Sequence, residues 1–183
     1  MDNNSIIIGC QRGERTAQRL LFDKFYRFVY TVSFRYVKNH HDCEDVVLTV
    51  FNRIFKNINQ VIEPSNGGFH KWVKTIAINE SIRFLNKTSP IVYTESDQLL
   101  DLLDKEEPME SRGLEYSTEQ ILSTVNKMPE GYRRIFLLKV VDGLTHDEIA
   151  KYLCISRNTS KSQMLKARKY LSLELKKITS DEL

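Results

Sequence analysis

Apolar residues recur at steps of three and four through most of the chain, a spacing that predicts helices rather than strands. From Thr16 to about Lys38 they are Leu20, Leu21, Phe25, Phe28, Val29, Val32 and Phe34–Tyr36, an amphipathic helix rich in aromatics. Asn39, His40 and His41 interrupt it, and Asp42 is the expected cap of a second helix. There Val46, Val47, Val50, Phe51, Ile54, Phe55 and Ile58 make one broad stripe that ends near Asn59. Glu63-Pro64-Ser65-Asn66-Gly67-Gly68 reads as a loop. A third helix carries Phe69, Trp72, Val73, Ile76, Ala77 and Ile82, with Lys71, Lys74, Asn79 and Arg83 between them, and ends around Asn86.

Periodicity fades from Thr88 to about Glu115, apart from one short helix expected at Asp97–Leu103, and resumes near Thr118. Ile121, Leu122, Val125 and Met128 form a stripe, and Pro129 stands in a favoured N-terminal helix position. Tyr132, Ile135, Phe136, Leu138 and Val140 continue as another helix, stopped by Asp142-Gly143. Thr145 and Glu148 then form a capping-box pattern ahead of Ile149, Ala150 and Leu153. A turn through Cys154 and Ile155 leads to Ser156, the expected cap of a last helix that runs to about Lys177. Met164, Leu165, Tyr170 and Leu171 are its inward positions, which leaves Arg157, Asn158, Ser160, Lys161 and Gln163 to point outward near its start. Two capped helices about a tight turn are the pattern of a helix-turn-helix, whose second helix enters the major groove. With no hairpin signal, the chain is all-α: two small helical domains, 1–87 and 116–183, joined by a linker at 88–115.

Charge sharpens this division. The net charge of the 183 residues is only +3. Residues 1–87, however, carry 13 basic and 8 acidic side chains, residues 88–115 carry 2 and 8, and residues 127–177 carry 12 and 5. Two basic blocks joined by an acidic connector suit two separate contacts with a polyanion. Within Ser156–Lys177 seven residues are basic and one acidic, which favours DNA over a merely solvated face. No apolar run approaches the ~20 residues of a membrane span, and the first ten residues lack a basic leader. A cytoplasmic location without stable membrane insertion is therefore expected.

Cys10, Cys43 and Cys154 are far apart in sequence and read as reduced thiols. His40-His41-Asp42-Cys43-Glu44-Asp45 gathers potential ligands, but consecutive helical side chains fan around the axis and do not converge. No metal, cofactor or catalytic residue is expected there, and acidic residues in a first helical turn suit the helix dipole. Phe69-His70-Lys71-Trp72-Val73-Lys74 combines rings that can stack with lysines that can meet phosphates, as single-stranded nucleic acid requires. Phe69 and Trp72 are equally well spaced to be core residues.

Together these stretches resemble bacterial RNA polymerase sigma factors of the sigma-70 family, in its small extracytoplasmic-function (ECF) group. Glu44-Asp45-Val46-Val47-Leu48-Thr49-Val50-Phe51 matches that family's acidic pair, aliphatics and aromatic, with Leu48 where Gln is usual. Phe69, Trp72, Ile76-Ala77, Asn79 and Arg83 match a second motif in order. Met128-Pro129, Arg133 or Arg134, Ile135–Leu138, Gly143-Leu144, Glu148-Ile149-Ala150, Ser156 and Lys161-Ser162 match the second domain.

The resemblance implies a non-enzymatic promoter-specificity subunit whose partners are core RNA polymerase, promoter DNA as duplex and melted single strand, and an anti-sigma factor. Glu44, Asp45, Val46, Val47, Leu48 and Phe51 are the implied polymerase surface. Asn66, Phe69, Lys71, Trp72, Lys74, Asn79 and Arg83 are the implied contacts to melted −10 DNA. Arg157, Asn158, Thr159, Ser160, Lys161, Gln163 and Lys166 are those to −35 duplex. Ser160 and Gln163 depart from the aliphatic and basic residues usual at their positions. The rival reading is a stand-alone helix-turn-helix regulator; a metal-dependent enzyme at His40–Asp45 is a remoter one.

Overall fold

The computed structural model describes residues 3–61, 66–91, 93 and 116–181. The expected helix at Asp97–Leu103 and nearly all of the acidic connector lie outside those residues. The chain divides into two compact units, Met1–Pro90 and Ile91–Leu183, and no strand occurs among the described residues.

The first unit contains α1 (Asn3–Gln11), α2 (Arg15–Val37), α3 (His40–Asn57), a 3-10 turn (Ile58–Gln60) and α4 (Asn66–Thr88). The aromatic stripe on α2 forms as expected: Leu21, Phe25, Val29 and Val32 are buried, as are Val47, Val50 and Ile54 of α3 and Val73 and Ala77 of α4, and α2 packs on both helices. Lys38 ends α2 in the left-handed conformation, at φ 60. Asn39, rather than Asp42, caps α3: its side chain accepts the Asp42 N–H at 3.0 Å. A cap must sit outside the first turn, and α3 starts two residues before Asp42. Helix α4 starts at Asn66, so Gly67 and Gly68, expected in a loop, lie in its first turn. Helix α1 is an element that periodicity did not single out. Ile6, Ile7 and Cys10 bury its inner side, while its weakly amphipathic run Asn3-Asn4-Ser5-Ile6-Ile7-Ile8 leaves Ile8 44% exposed.

The second unit contains α5 (Thr118–Lys127), α6 (Glu130–Phe136), a π-helical turn (Leu137–Val141), α7 (His146–Leu153) and α8 (Arg157–Asp181). Ser117 caps α5 through a capping box with Gln120. Gly143, at φ 74, makes the turn that an L side chain would strain. Ile135 and Leu138 are buried with Ile149, Leu153, Met164, Ala167 and Leu171, so α8 is the long helix on which the shorter ones pack. Two arginines join that core: Arg133 and Arg134 are 2% and 1% exposed. Glu130 reaches both from the first turn of α6, with N–O distances of 2.6 and 2.9 Å. Ile91 and Tyr93, expected in the connector, lie against Gly131 of α6, where an added Cβ would sit 3.2 Å from the Tyr93 ring. The Tyr93 hydroxyl is buried with no hydrogen-bond partner among the described residues, and burial pushes its pKa up to about 12.

Candidate nucleic-acid interface

The helix-turn-helix is built by local chemistry. Thr145 accepts the Glu148 N–H at 3.2 Å, and the Glu148 carboxylate accepts the Thr145 N–H at 2.7 Å. That reciprocal pair satisfies two N-terminal donors of α7. Cys154 ends α7 in the left-handed conformation, at φ 55 and ψ 45, and its N–H donates to the Ala150 carbonyl. The Ile155 N–H donates to the same carbonyl at 3.0 Å, closing the turn. Ser156 Oγ then accepts the Thr159 N–H at 2.9 Å, so α8 starts from a fixed cap.

Three of the seven expected −35 contacts on α8 are buried. Arg157 and Asn158 are exposed and Lys161 and Lys166 half-buried, but Thr159, Ser160 and Gln163 are 3%, 0% and 5% exposed. These three turn inward because they share the phase of Met164, Ala167 and Leu171, the buried stripe of α8. Ser160 Oγ lies 2.9 Å from His146 Nδ1, so the α7–α8 seam is polar and hydrogen-bonded. Ser160 thereby ties the start of α8 to the start of α7, and Gln163 is buried. Helical spacing puts Arg157, Asn158 and Lys161 on one outward face with Arg168, a basic strip of the kind that meets a groove.

On α4 the expected set also divides. Phe69 is 1% exposed and stands edge-on to Phe25, with ring centroids 5.2 Å apart, so it belongs to the core. Trp72 is half-buried, 5.6 Å from the Phe69 ring, and supported from beneath by it. Lys71, Asn79 and Arg83 are exposed and Lys74 half-buried. Trp72, Asn79 and Arg83 share one helix face, with Lys71 at its edge and Lys74 on another side. The side chain of Asn66 lies outside the described residues.

A residue absent from the expected set sits beneath this face. Glu80 is 7% exposed, accepts Arg53 Nε and Nη2 at 3.0 and 2.9 Å, and lies 3.9 Å from Arg83. Its signal in the sequence is phase: Glu80 follows Val73 and Ala77 on the buried side of α4, where a carboxylate requires a cationic partner.

Helix α3 makes the third surface. Val46, Val47 and Phe51, expected at the polymerase contact, are 3%, 0% and 2% exposed, on the buried side of a helix that packs on α2 and α4. Glu44, Asp45 and Leu48 point outward, Leu48 at 60% exposure. One bulky apolar side chain beside two carboxylates is the surface actually presented. His40 stacks on Phe34, with ring centroids 4.6 Å apart, and bonds the Tyr30 hydroxyl through Nδ1. Among the described residues no group of three or more metal-ligating side chains converges. Cys10 and Cys43 are buried free thiols, each with its pKa pushed up to about 11 chiefly by burial. No helix among the described residues is long and apolar enough to cross a membrane.

Comparison with known proteins accounts for both units. Residues 21–90 match the family described as Sigma-70 region 2, and residues 118–171 match Sigma-70, region 4. The "ECF RNA polymerase sigma factor SigW" of Bacillus subtilis is 25% identical over 91% of this chain and 92% of its own length. The "ECF RNA polymerase sigma-E factor" of Haemophilus influenzae is 24% identical over 93% and 94%. A solved structure described as "Structure of CnrH in complex with the cytosolic domain of CnrY" aligns over 93% of this chain and 95% of that one, at 19% identity and a TM-score of 0.48. The order of the two regions, and relatives that match nearly end to end, place the chain in the sigma-70 family of RNA polymerase sigma factors, within its ECF group.

Proposed function

We propose that this chain, a sigma factor that directs promoter-specific transcription initiation, grips its promoter at two points while docked on core RNA polymerase. Arg157, Asn158 and Lys161 at the start of α8 read duplex DNA at −35, with Lys166 on the adjoining flank. Trp72, Lys71, Asn79 and Arg83 on α4 hold melted DNA at −10, with Trp72 as the platform for an unstacked base. Glu44, Asp45 and Leu48 dock on polymerase. The chain performs no covalent chemistry: its binding energy offsets base stacking lost on melting, about 1.4 kcal/mol per base-pair step. It acts in the cytoplasm, and a protein inhibitor of the anti-sigma type is its natural off-switch.

The observation that carries this reading is the orientation of α8. Its capped N-terminus presents a cationic and amide face, while its opposite face is committed to the core. The test is to purify the chain with core polymerase and assay initiation in vitro on genomic DNA. Stable association and starts that share upstream sequence blocks support the proposal. Duplex binding without association with core would instead select the stand-alone regulator.

A further inference from the structure

Glu80 is the single acidic residue of α4, where Lys71, Lys74, Arg83 and Lys87 are basic. A carboxylate exposed on that helix would repel a phosphate backbone. Glu80 is instead buried, with Arg53 of α3 and Arg83 of α4 gathered at it. Arg53 donates Nε and Nη2 to Glu80 Oε1 at 3.0 and 2.9 Å, and Arg83 Nη1 stands 3.9 Å from the same oxygen. One oxygen thus brings together two guanidiniums from different helices, and α4 presents no carboxylate of its own to solvent.

A buried carboxylate needs a cationic partner, and Arg53 alone meets that need. More cation is present than this requires. The Arg53 side chain is still 40% exposed, and a guanidinium carries more N–H donors than one carboxylate oxygen takes. Arg83 is 71% exposed and only loosely held. The cluster is therefore net positive, with its anion inside and its cations toward solvent. That polarity suits an anionic strand laid across the seam between α3 and α4, and guanidiniums match phosphate oxygens in geometry as well as charge. Arg83 shares its helix face with Trp72 and Asn79, so the cluster adjoins the stacking platform.

We propose that Arg53 is a further contact to the DNA backbone: with Arg83 it forms a two-guanidinium clamp, held by Glu80, that takes successive phosphodiesters of the melted −10 strand. This rests on the reading of α4 given above and extends it to α3. Glu80 is a positioning residue that acts through the arginines and touches no nucleic acid.

The test uses full-length chain assembled with core polymerase, and a fork-junction probe with an unpaired non-template −10 strand from a start site mapped with the wild-type protein. A duplex carrying only the −35 block of the same promoter is the control. Affinity is measured over a series of potassium chloride concentrations, well below the melting midpoint of every variant, so that a cost in stability leaves the salt slope untouched. Arg53→Gln paired with Glu80→Gln removes the cation and its buried partner together, which strands no charge and leaves the net charge unchanged. Arg53→Lys keeps the cation. The fork slope of the double variant should be about 0.7 smaller than that of the wild type, the value of one phosphate on a single strand. A tenfold rise in salt then costs the variant about fivefold less affinity than it costs the wild type. Arg83→Gln should lower the fork slope similarly, Arg53→Lys should retain it, and no variant should alter the −35 slope. An unchanged fork slope in the double variant, with that of Arg83→Gln lowered, overturns the inference alone and leaves Arg53 as the counterion of Glu80. A fall of equal size on the −35 duplex also overturns it, because the effect is then not local to the clamp. Unchanged slopes in both the double variant and Arg83→Gln overturn the −10 reading of this face, and the inference with it.

Discussion

Substituting Glu130 with Gln isolates the electrostatic tie beneath the DNA-reading unit. The change keeps side-chain size but removes the charge that faces Arg133 and Arg134, whose side chains are 3% and 1% exposed. Breaking a buried ion pair costs about 3–5 kcal/mol, because the remaining charge stays desolvated. Glu130 is itself 36% exposed and partly screened by water, which brings the expectation down to about 2–3 kcal/mol. For a unit of this size each kcal/mol moves the midpoint about 4–8 °C, so melting should fall by roughly 8–24 °C.

The chain offers a clean assay, since Trp72 is its single tryptophan and lies in the first unit. Tryptophan fluorescence follows that unit alone, while far-UV circular dichroism follows both. Glu130→Gln should shift part of the dichroism transition and leave the fluorescence transition in place. Acid provides a second handle. Burial raises the Glu130 pKa, but hydrogen bonds and charge from Arg133 and Arg134 outweigh it and hold the carboxyl below its ordinary 4.5. A depressed carboxyl stabilises the fold above that ordinary value, and the contribution disappears as pH falls through the folded-state value. The wild-type second unit should therefore lose stability progressively below about pH 4.5, and the Gln variant should lack that component. Joint movement of the two spectroscopic transitions, or destabilisation under about 1 kcal/mol, would refute the reasoning.

Other substitutions probe single contacts. Cys154→Gly relieves a left-handed residue at the turn of the helix-turn-helix and should stabilise the second unit by about 1 kcal/mol; a lower melting temperature would contradict this. Phe69→Ala should cost about 3–5 kcal/mol, as expected for a fully buried ring. Trp72→Ala should cost less, spare −35 duplex binding and impair open-complex formation; equal loss in both assays would make Trp72 a core residue. Leu48→Asp, at a position 60% exposed, should change stability by less than about 0.5 kcal/mol yet weaken the association with core polymerase. Unaltered affinity would remove Leu48 from the docking surface.

The helices of both units were legible because their apolar residues keep a 3.6 period, and Thr145, Glu148 and Ser156 are caps with unambiguous chemistry. What the sequence reading missed follows from equating polar with outward. Ser160 and Gln163 stand at steps of seven and four before Ala167, the phase of the buried stripe, and Ser160 meets a polar partner there, His146, rather than an apolar one. Val46, Val47 and Phe51 came to the polymerase surface through the family resemblance, whereas their helical period already assigns them to the core. The burial of Glu80, Arg133 and Arg134 was not foreseen because buried charge is legible only when its partner is known, and Arg53 lies 27 residues from Glu80. Helix α1 escaped because its seat depends on Gly9 meeting Ala17, a contact with no periodic signature.

Two independent points of promoter contact are the centre of the account, and a promoter library transcribed in vitro tests them together. Core polymerase carrying the wild-type chain should select one sequence block near −35 and another near −10. Arg157→Ala with Asn158→Ala should relax only the upstream block, and Asn79→Ala with Arg83→Ala only the downstream one. Selection of a single block by the wild-type chain, or relaxation of the same block by both pairs, would contradict the account.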